Sequence, residues 1–148
     1  MQNMIIKDLF ILNNKLKRLL DKTYQVNDIR TGQARVLIYL YKEKEKQIYQ
    51  KQLEEVFQIR GGTVTGMIDT LERDELIKRT ESNEDKRKKE VILTQKGIEI
   101  AKKSIKTNQI MESKLSSILN LEEIETIKNV FHKINLWIDM EENNEKTI

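Results

Sequence analysis

The stretch 58-QIRGGTVTGMIDTLERDELIKRTESNEDKRKKEVILT-94 changes its periodicity part-way along, and that change decides how the chain folds. Val64, Ile68 and Leu71 recur at intervals of four and three, so they share one face of a helix. Thr63, Thr65, Met67, Asp69 and Thr70 occupy the rest of its surface. Gly61 and Gly62 stand just ahead of this helix, where a tight turn is expected to bring the backbone close to a neighbour. After Leu71 the period becomes two. Ile77, Arg79 and Glu81 alternate with Lys78, Thr80 and Ser82, and Val91 and Leu93 alternate with Glu90, Ile92 and Thr94. That alternation predicts two paired strands. Between them Asn83-Glu84-Asp85-Lys86-Arg87-Lys88-Lys89 is polar and turn-prone, and it ends in four consecutive cations.

Upstream, a short helix from about Gln50 to Phe57 offers Leu53, Val56 and Phe57 to a core, and the turn Gln58 to Gly62 joins it to the next helix. Helix, tight turn, helix is the DNA-reading unit when its second helix projects. A buried helical hairpin has the same pattern, but the basic-tipped hairpin that follows favours the first reading. The predicted fold is mainly α with a small β-hairpin wing: a winged helix-turn-helix. A further helix precedes it, with Val36, Leu37, Leu40 and Tyr41 on its inner face. The nearly all-charged run Lys42 to Gln47 reads as a solvated helix end and loop.

Both ends of the chain carry long apolar stripes. Ile5, Leu9, Leu12, Leu16 and Leu19 step four, three, four, three, a seam of coiled-coil type. Thr94 is the expected N-cap of a helix starting near Gln95 with Ile98, Ala101 and Ile105, then Met111, Leu115 and Ile118. Asn120 and Glu123 have capping-box spacing and open another helix, striped by Ile124, Ile127, Phe131, Ile134 and Ile138 with Val130 and Trp137 alongside. Stripes of this length predict N- and C-terminal dimerisation helices that pack across a two-fold axis, giving a homodimer with two reading heads. The expected organisation is 1–28, an N-terminal dimerisation helix and linker; 29–96, the winged reading part; and 97–148, C-terminal dimerisation helices, all in one intertwined domain.

Composition narrows the function. A chain of 148 residues is long enough for one cored domain. The absence of proline leaves long helices uninterrupted. The formal charge of +3 says less than its distribution, because Lys86 to Lys89 are contiguous while Asp139, Glu141, Glu142 and Glu145 make the C-terminal end acidic. Without cysteine there is no disulfide, cysteine-ligated zinc or thiol switch. His132 is the only histidine and falls in an apolar helix, and Gly61-Gly62 lacks the lysine and hydroxyl of a phosphate loop. An enzyme, a bound metal and a cofactor are therefore not expected. Lys7 and Asp8 break the first apolar run too early for a signal peptide, and no run of about 18 apolar residues exists to span a membrane. The expected location is the cytoplasm.

The candidate binding residues follow from position. The open N–H groups around Gly61, Gly62 and Thr63 suit a phosphate, and the hydroxyls of Thr63 and Thr65 lie at the front of the reading helix. Arg60 is placed to reach a phosphate or a guanine edge. In the turn, Asp85 is expected to pair with Arg87 and fix its guanidinium for a narrow minor groove, with Lys86, Lys88 and Lys89 beside it. The plain alternatives are capping threonines and a solvated charged turn.

These residues also carry a family likeness. Asp85-Lys86-Arg87 followed by Val91-Ile92-Leu93-Thr94 and Gly97 resembles the D-x-R…L-T-x-x-G signature of the MarR family of transcriptional regulators. Thr63-Val64-Thr65, Leu71-Glu72-Arg73 and Leu76-Ile77-Lys78-Arg79 resemble that family's recognition helix and first wing strand, and Gln33, Leu37, Tyr39 and Leu40 its second helix. The resemblance implies a homodimer on an inverted-repeat operator, acting as a repressor and released by a small lipophilic or aromatic effector in a crevice beside the reading head. Phe10, Tyr24, Tyr39, Met67 and Met111 are the candidate ligand contacts there. Three positions depart from the pattern: Gly66 where a basic residue is common, Glu54 where alanine is, and Glu75 in place of the glycine before the first wing strand. The second reading is a winged-helix protein-interaction module without DNA binding, which the basic wing tip disfavours.

Overall fold

The computed structural model describes residues 3–82 and 84–145. In order these form α1 (Ile5–Tyr24), a 3-10 turn (Gln25–Asn27), α2 (Thr31–Lys42), α3 (Gln50–Phe57), α4 (Gly61–Arg73), β1 (Ile77–Glu81), β2 (Lys89–Leu93), α5 (Gln95–Ser117) and α6 (Leu121–Glu145). The chain divides into two compact units, Met1–Asn108 and Gln109–Ile148. The mainly helical fold with one antiparallel hairpin matches the winged helix-turn-helix expectation.

The first unit is built on the apolar positions that the two periods mark out. Ala34, Val36, Leu37 and Leu40 of α2, Leu53 of α3, Val64, Ile68 and Leu71 of α4, and Ile77 and Val91 of the hairpin are all buried. Tyr24, Ile29, Ile48, Leu76 and Ala101 complete the core. Full burial of each large side chain contributes about 1.5–3 kcal/mol, so this cluster fixes α3, α4 and the hairpin as one body. Val56 differs from expectation: it is 46% exposed, because the eight-residue α3 lays only its Leu53 side fully on the core.

The turn between α3 and α4 is made differently from the sequence reading. Gln58, not a glycine, takes the left-handed conformation (φ 52°), while Gly61 and Gly62 are the first two residues of α4 and neither has positive φ. The left-handed residue is needed immediately after the last turn of α3, three positions before the first glycine. The end of α4 is a Schellman motif: Leu76 N donates to Leu71 O (2.9 Å) and Glu75 N to Glu72 O (3.0 Å), with Glu75 at φ 62°. Here the departure from glycine does place a side-chain-bearing residue in the left-handed region.

β1 and β2 pair antiparallel, with Ile77 opposite Leu93, Arg79 opposite Val91 and Glu81 opposite Lys89. A third short piece joins them, as Val91 N donates to Ile48 O (2.8 Å) and Tyr49 bridges Glu90. Thr94 then ties the hairpin to α5. Its hydroxyl donates to Glu75 O (2.6 Å) and accepts from Gly97 N (3.0 Å), the expected N-cap with a second link to the end of α4. Gly97 is buried, and a Cβ there would run into the Leu76 carbonyl. Along this part of α5 the fully buried residues are Gly97, Ala101 and Ser104, while Ile98 and Ile105 are half-buried. Small residues bring the helix close, and the larger ones flank the contact.

In the second unit, Asn120 and Glu123 form the reciprocal capping box that starts α6: Asn120 N donates to Glu123 Oε1 (3.0 Å) and Glu123 N to Asn120 Oδ1 (2.8 Å). No residue of α6 is buried, and Phe131, Leu136 and Trp137 each expose about half of their surface. Among the described residues, no helix is long and apolar enough to cross a membrane.

Candidate nucleic-acid interface

α4 presents its solvent side opposite Val64, Ile68 and Leu71, and Thr63, Thr65 and Gly66 are exposed there. Arg60 caps the helix through its backbone: its carbonyl accepts from Thr63 N (3.0 Å) and Val64 N (3.1 Å). The open end of the helix is therefore carried by Gly61 and Gly62, a narrower set than the sequence suggests. Thr65 is already engaged. Its hydroxyl donates to Gly61 O (2.9 Å) and accepts from Gln50 Nε2 (3.1 Å), so it has less to offer a base than Thr63 does.

The wing tip is held by Asp85. Arg87 N and Nε donate to Asp85 Oδ1 (3.0 and 3.1 Å), and Nη2 donates to Oδ2 (3.3 Å). This fork leaves the Arg87 side chain 90% exposed but oriented, and the same contacts hold the Asp85 carboxyl below the usual carboxylate range. Ser82 N donates to Lys88 O and Lys88 N to Asp85 O (both 2.9 Å), which closes the turn. Asn83 lies outside the described residues. Lys86, Arg87, Lys88 and Lys89 are all exposed.

A groove of about 610 Å³ runs between the wing and the α3–α4 pair. Thr65, Asp85, Arg87, Lys88 and Lys89 line it, joined by Tyr49, Gln50, Lys51, Glu54 and Arg79, which the motif reading had not placed at a site. Lys88 Nζ stands 5.5 Å from the centre of the Tyr49 ring. Lys51 shows as a cation in the first turn of a predicted helix. Tyr49 carries no such signal, since only the tertiary bridge to Glu90 brings it to the wing. A short amphipathic helix, a hydroxyl-bearing helix end and a basic hairpin thus converge on one face.

This arrangement matches a known family: residues 29–89 fit the model of the MarR family. Over those residues the chain is similar to the MarR family. It is 27% identical over 89 residues to the HTH-type transcriptional repressor YetL of Bacillus subtilis (strain 168), a match covering 60% of this chain. The chain spans about half the length of that curated relative, 53%. Among solved structures it resembles S. aureus MepR in its DNA complex, at 27% identity and a TM-score of 0.87 over 93% of this chain and 99% of that one. It also resembles a mutant MarR from E. coli complexed with operator DNA, at 26% identity and a TM-score of 0.76 over 86% and 91% of the two chains. MarR-family proteins are transcription regulators, not enzymes.

The expected effector residues are spread over α1, α2, α4 and α5. A cavity of about 640 Å³ beside α4 takes Met67 alone from that set, with Lys17, Asp21, Arg30, Gly32 and Arg73 among its lining. Tyr24 is in the core, 2% exposed, and Tyr39 packs edge-on against Phe57 at 5.8 Å. Phe10 is 64% exposed on α1, and Met111 belongs to the second unit. The residues expected to dimerise all stand on α1 or α6. Ile5, Leu9, Leu12 and Leu16 are exposed, as are Ile127, Phe131, Trp137 and Ile138, while Ile124 and Ile134 are half-buried.

Proposed function

We propose that this chain is a homodimeric, sequence-specific DNA-binding repressor that acts in the cytoplasm. The observation that carries the reading is the shared groove of the wing and the α3–α4 pair. There an oriented Arg87 lines the groove together with Lys88, Lys89 and Thr65 of α4. Arg87 enters a minor groove, Thr63 and Arg60 meet base edges or phosphates, and the amides of Gly61 and Gly62 receive a phosphate. Lys86, Lys88 and Lys89 supply the sequence-independent attraction. The segment 29–96 reads DNA, and 1–28 and 97–148 join two copies through the apolar stripes of α1 and α6. Such stripes are larger than a monomer normally leaves in water.

A small molecule releases the DNA. A ligand in the cavity beside Met67 would meet Lys17, Arg30 and Arg73 as well as Asp21, Asp28 and Asp74, so polar groups on an aromatic body suit it better than a purely lipophilic one. The test is retardation of DNA from upstream of the gene. Arg87→Ala should cost about 1–3 kcal/mol per half-site, and Lys88→Ala should weaken all duplexes alike and flatten the salt dependence. Undiminished operator affinity in the Arg87 variant contradicts its role. No DNA bound at all favours a protein-interaction module.

A further inference from the structure

Arg79 lines the groove among cations, yet its charge is spent within the protein. From β1 its Nε donates to Glu72 Oε2 (3.2 Å) and its Nη2 to Glu72 Oε1 (2.9 Å), and Nη2 also meets Asp69 Oδ1 at 2.7 Å. The backbone N of Arg79 donates to Glu72 Oε2 as well, at 3.3 Å. Asp69 and Glu72 are three apart on α4 and so project from one side of it. The Arg79 side chain is only 20% exposed. Two carboxylates around one guanidinium leave a local excess of negative charge, which repels a phosphate.

The wing needs this attachment. Two five-residue strands make a ribbon of marginal stability, while DNA recognition requires a fixed distance between α4 and the wing tip. The bidentate fork supplies direction as well as attraction, which an ammonium cannot. Arg79 sits directly opposite Val91, whose side chain is in the core, so the clamp holds the middle of the wing ladder and sets its angle.

We infer that Arg79 is a positioning residue for DNA binding: clamped between Asp69 and Glu72, it fixes the wing to α4 and is withheld from phosphates. The inference rests on the DNA-binding reading above. It makes two variants differ in an unusual way. Arg79→Gln should lower operator affinity about tenfold or more and leave the slope of log affinity against log salt unchanged. The paired change Asp69→Asn with Glu72→Gln frees the guanidinium. It should lower operator affinity while raising affinity for non-operator DNA, with a salt slope steeper by about 0.9. A role in folding alone would not strengthen binding to any DNA.

The measurement is fluorescence anisotropy of labelled operator and non-operator duplexes over a salt series, on full-length protein shown folded by circular dichroism. Arg79→Lys should recover little of the loss. If Arg79→Gln does not fold, the Asp69/Glu72 pair, which keeps both side-chain shapes, carries the test. A flattened salt slope in Arg79→Gln, or an unchanged operator affinity, overturns the inference. Failure of the wild-type chain to bind any duplex instead overturns the underlying DNA-binding reading.

Discussion

The carboxylate of Glu54 on α3 lies against Gly61, the first residue of α4, in the space that a Cβ at position 61 would occupy. Two features that depart from or punctuate the family pattern are thus one contact. An acidic side chain where alanine is common is accommodated because its neighbour has no side chain.

Two glycines therefore predict opposite outcomes. At Gly61 the obstacle is the far end of a flexible side chain, so Gly61→Ala should displace Glu54 and leave stability unchanged or raised by up to about 1 kcal/mol, the helix preference for alanine. At Gly97 the obstacle is the backbone carbonyl of Leu76, which cannot move without α5 leaving the hairpin. Gly97→Ala should cost about 3 kcal/mol or more, the upper end for overpacking. Urea unfolding of both variants checks this. Equal costs would mean that the approach of α5 to Leu76 is not as close as described.

Glu75 holds a left-handed conformation that an L side chain adopts at a cost of roughly 1–2 kcal/mol. Glu75→Gly should remove that strain, partly offset by the greater freedom of glycine in the unfolded chain. The expected gain is about 0.5–1 kcal/mol in thermal or chemical unfolding. Loss of stability instead would show that the Glu75 side chain makes a stabilising contact.

The wing clamp has a pH signature. Its hydrogen bonds to Arg79 chiefly hold the Glu72 carboxyl below the usual glutamate range, and the same pairing raises the guanidinium's affinity for its proton. A carboxylate whose folded-state pKa is depressed contributes stability that is complete above its unfolded pKa. That contribution is lost as pH falls through the lower, folded value. At neutral pH the clamp is intact. The Arg79 amide resonance should therefore titrate with a midpoint below that of an ordinary glutamate, and Glu72→Gln should abolish the transition. A midpoint at or above the ordinary value would contradict the pairing.

The fold was largely legible because two local periods encode it. Val64, Ile68 and Leu71 mark α4, and Ile77 with Val91 marks the inner side of the hairpin, with no long-range information needed. Caps were legible for the same reason: Thr94 and the Asn120–Glu123 box act within three residues of themselves. What was hidden depends on tertiary contact. Gln58 takes the left-handed turn although glycines stand nearby, and α5 reverses the usual rule by burying Gly97, Ala101 and Ser104 ahead of its isoleucines. In the site, Asp85 and Arg87 were visible as neighbours two apart. Tyr49 and Arg79 reach the groove only through pairing with Glu90 and with the carboxylates of α4. The expected effector residues have no local signature of convergence, since they are five apolar or aromatic side chains spread over α1, α2, α4 and α5.

In the proposed function two copies present α4 and the wing to DNA together. Selection of bound duplexes from a random pool by the full-length protein tests it most directly. Two reading helices related by a two-fold axis enter successive major grooves about 34–36 Å apart. The expected result is enrichment of an inverted repeat with half-site centres about one helical turn, about 10–10.5 base pairs, apart, and loss of binding when five base pairs are inserted at its centre. Enrichment of a single, asymmetric site, or binding that survives the insertion undiminished, would contradict it.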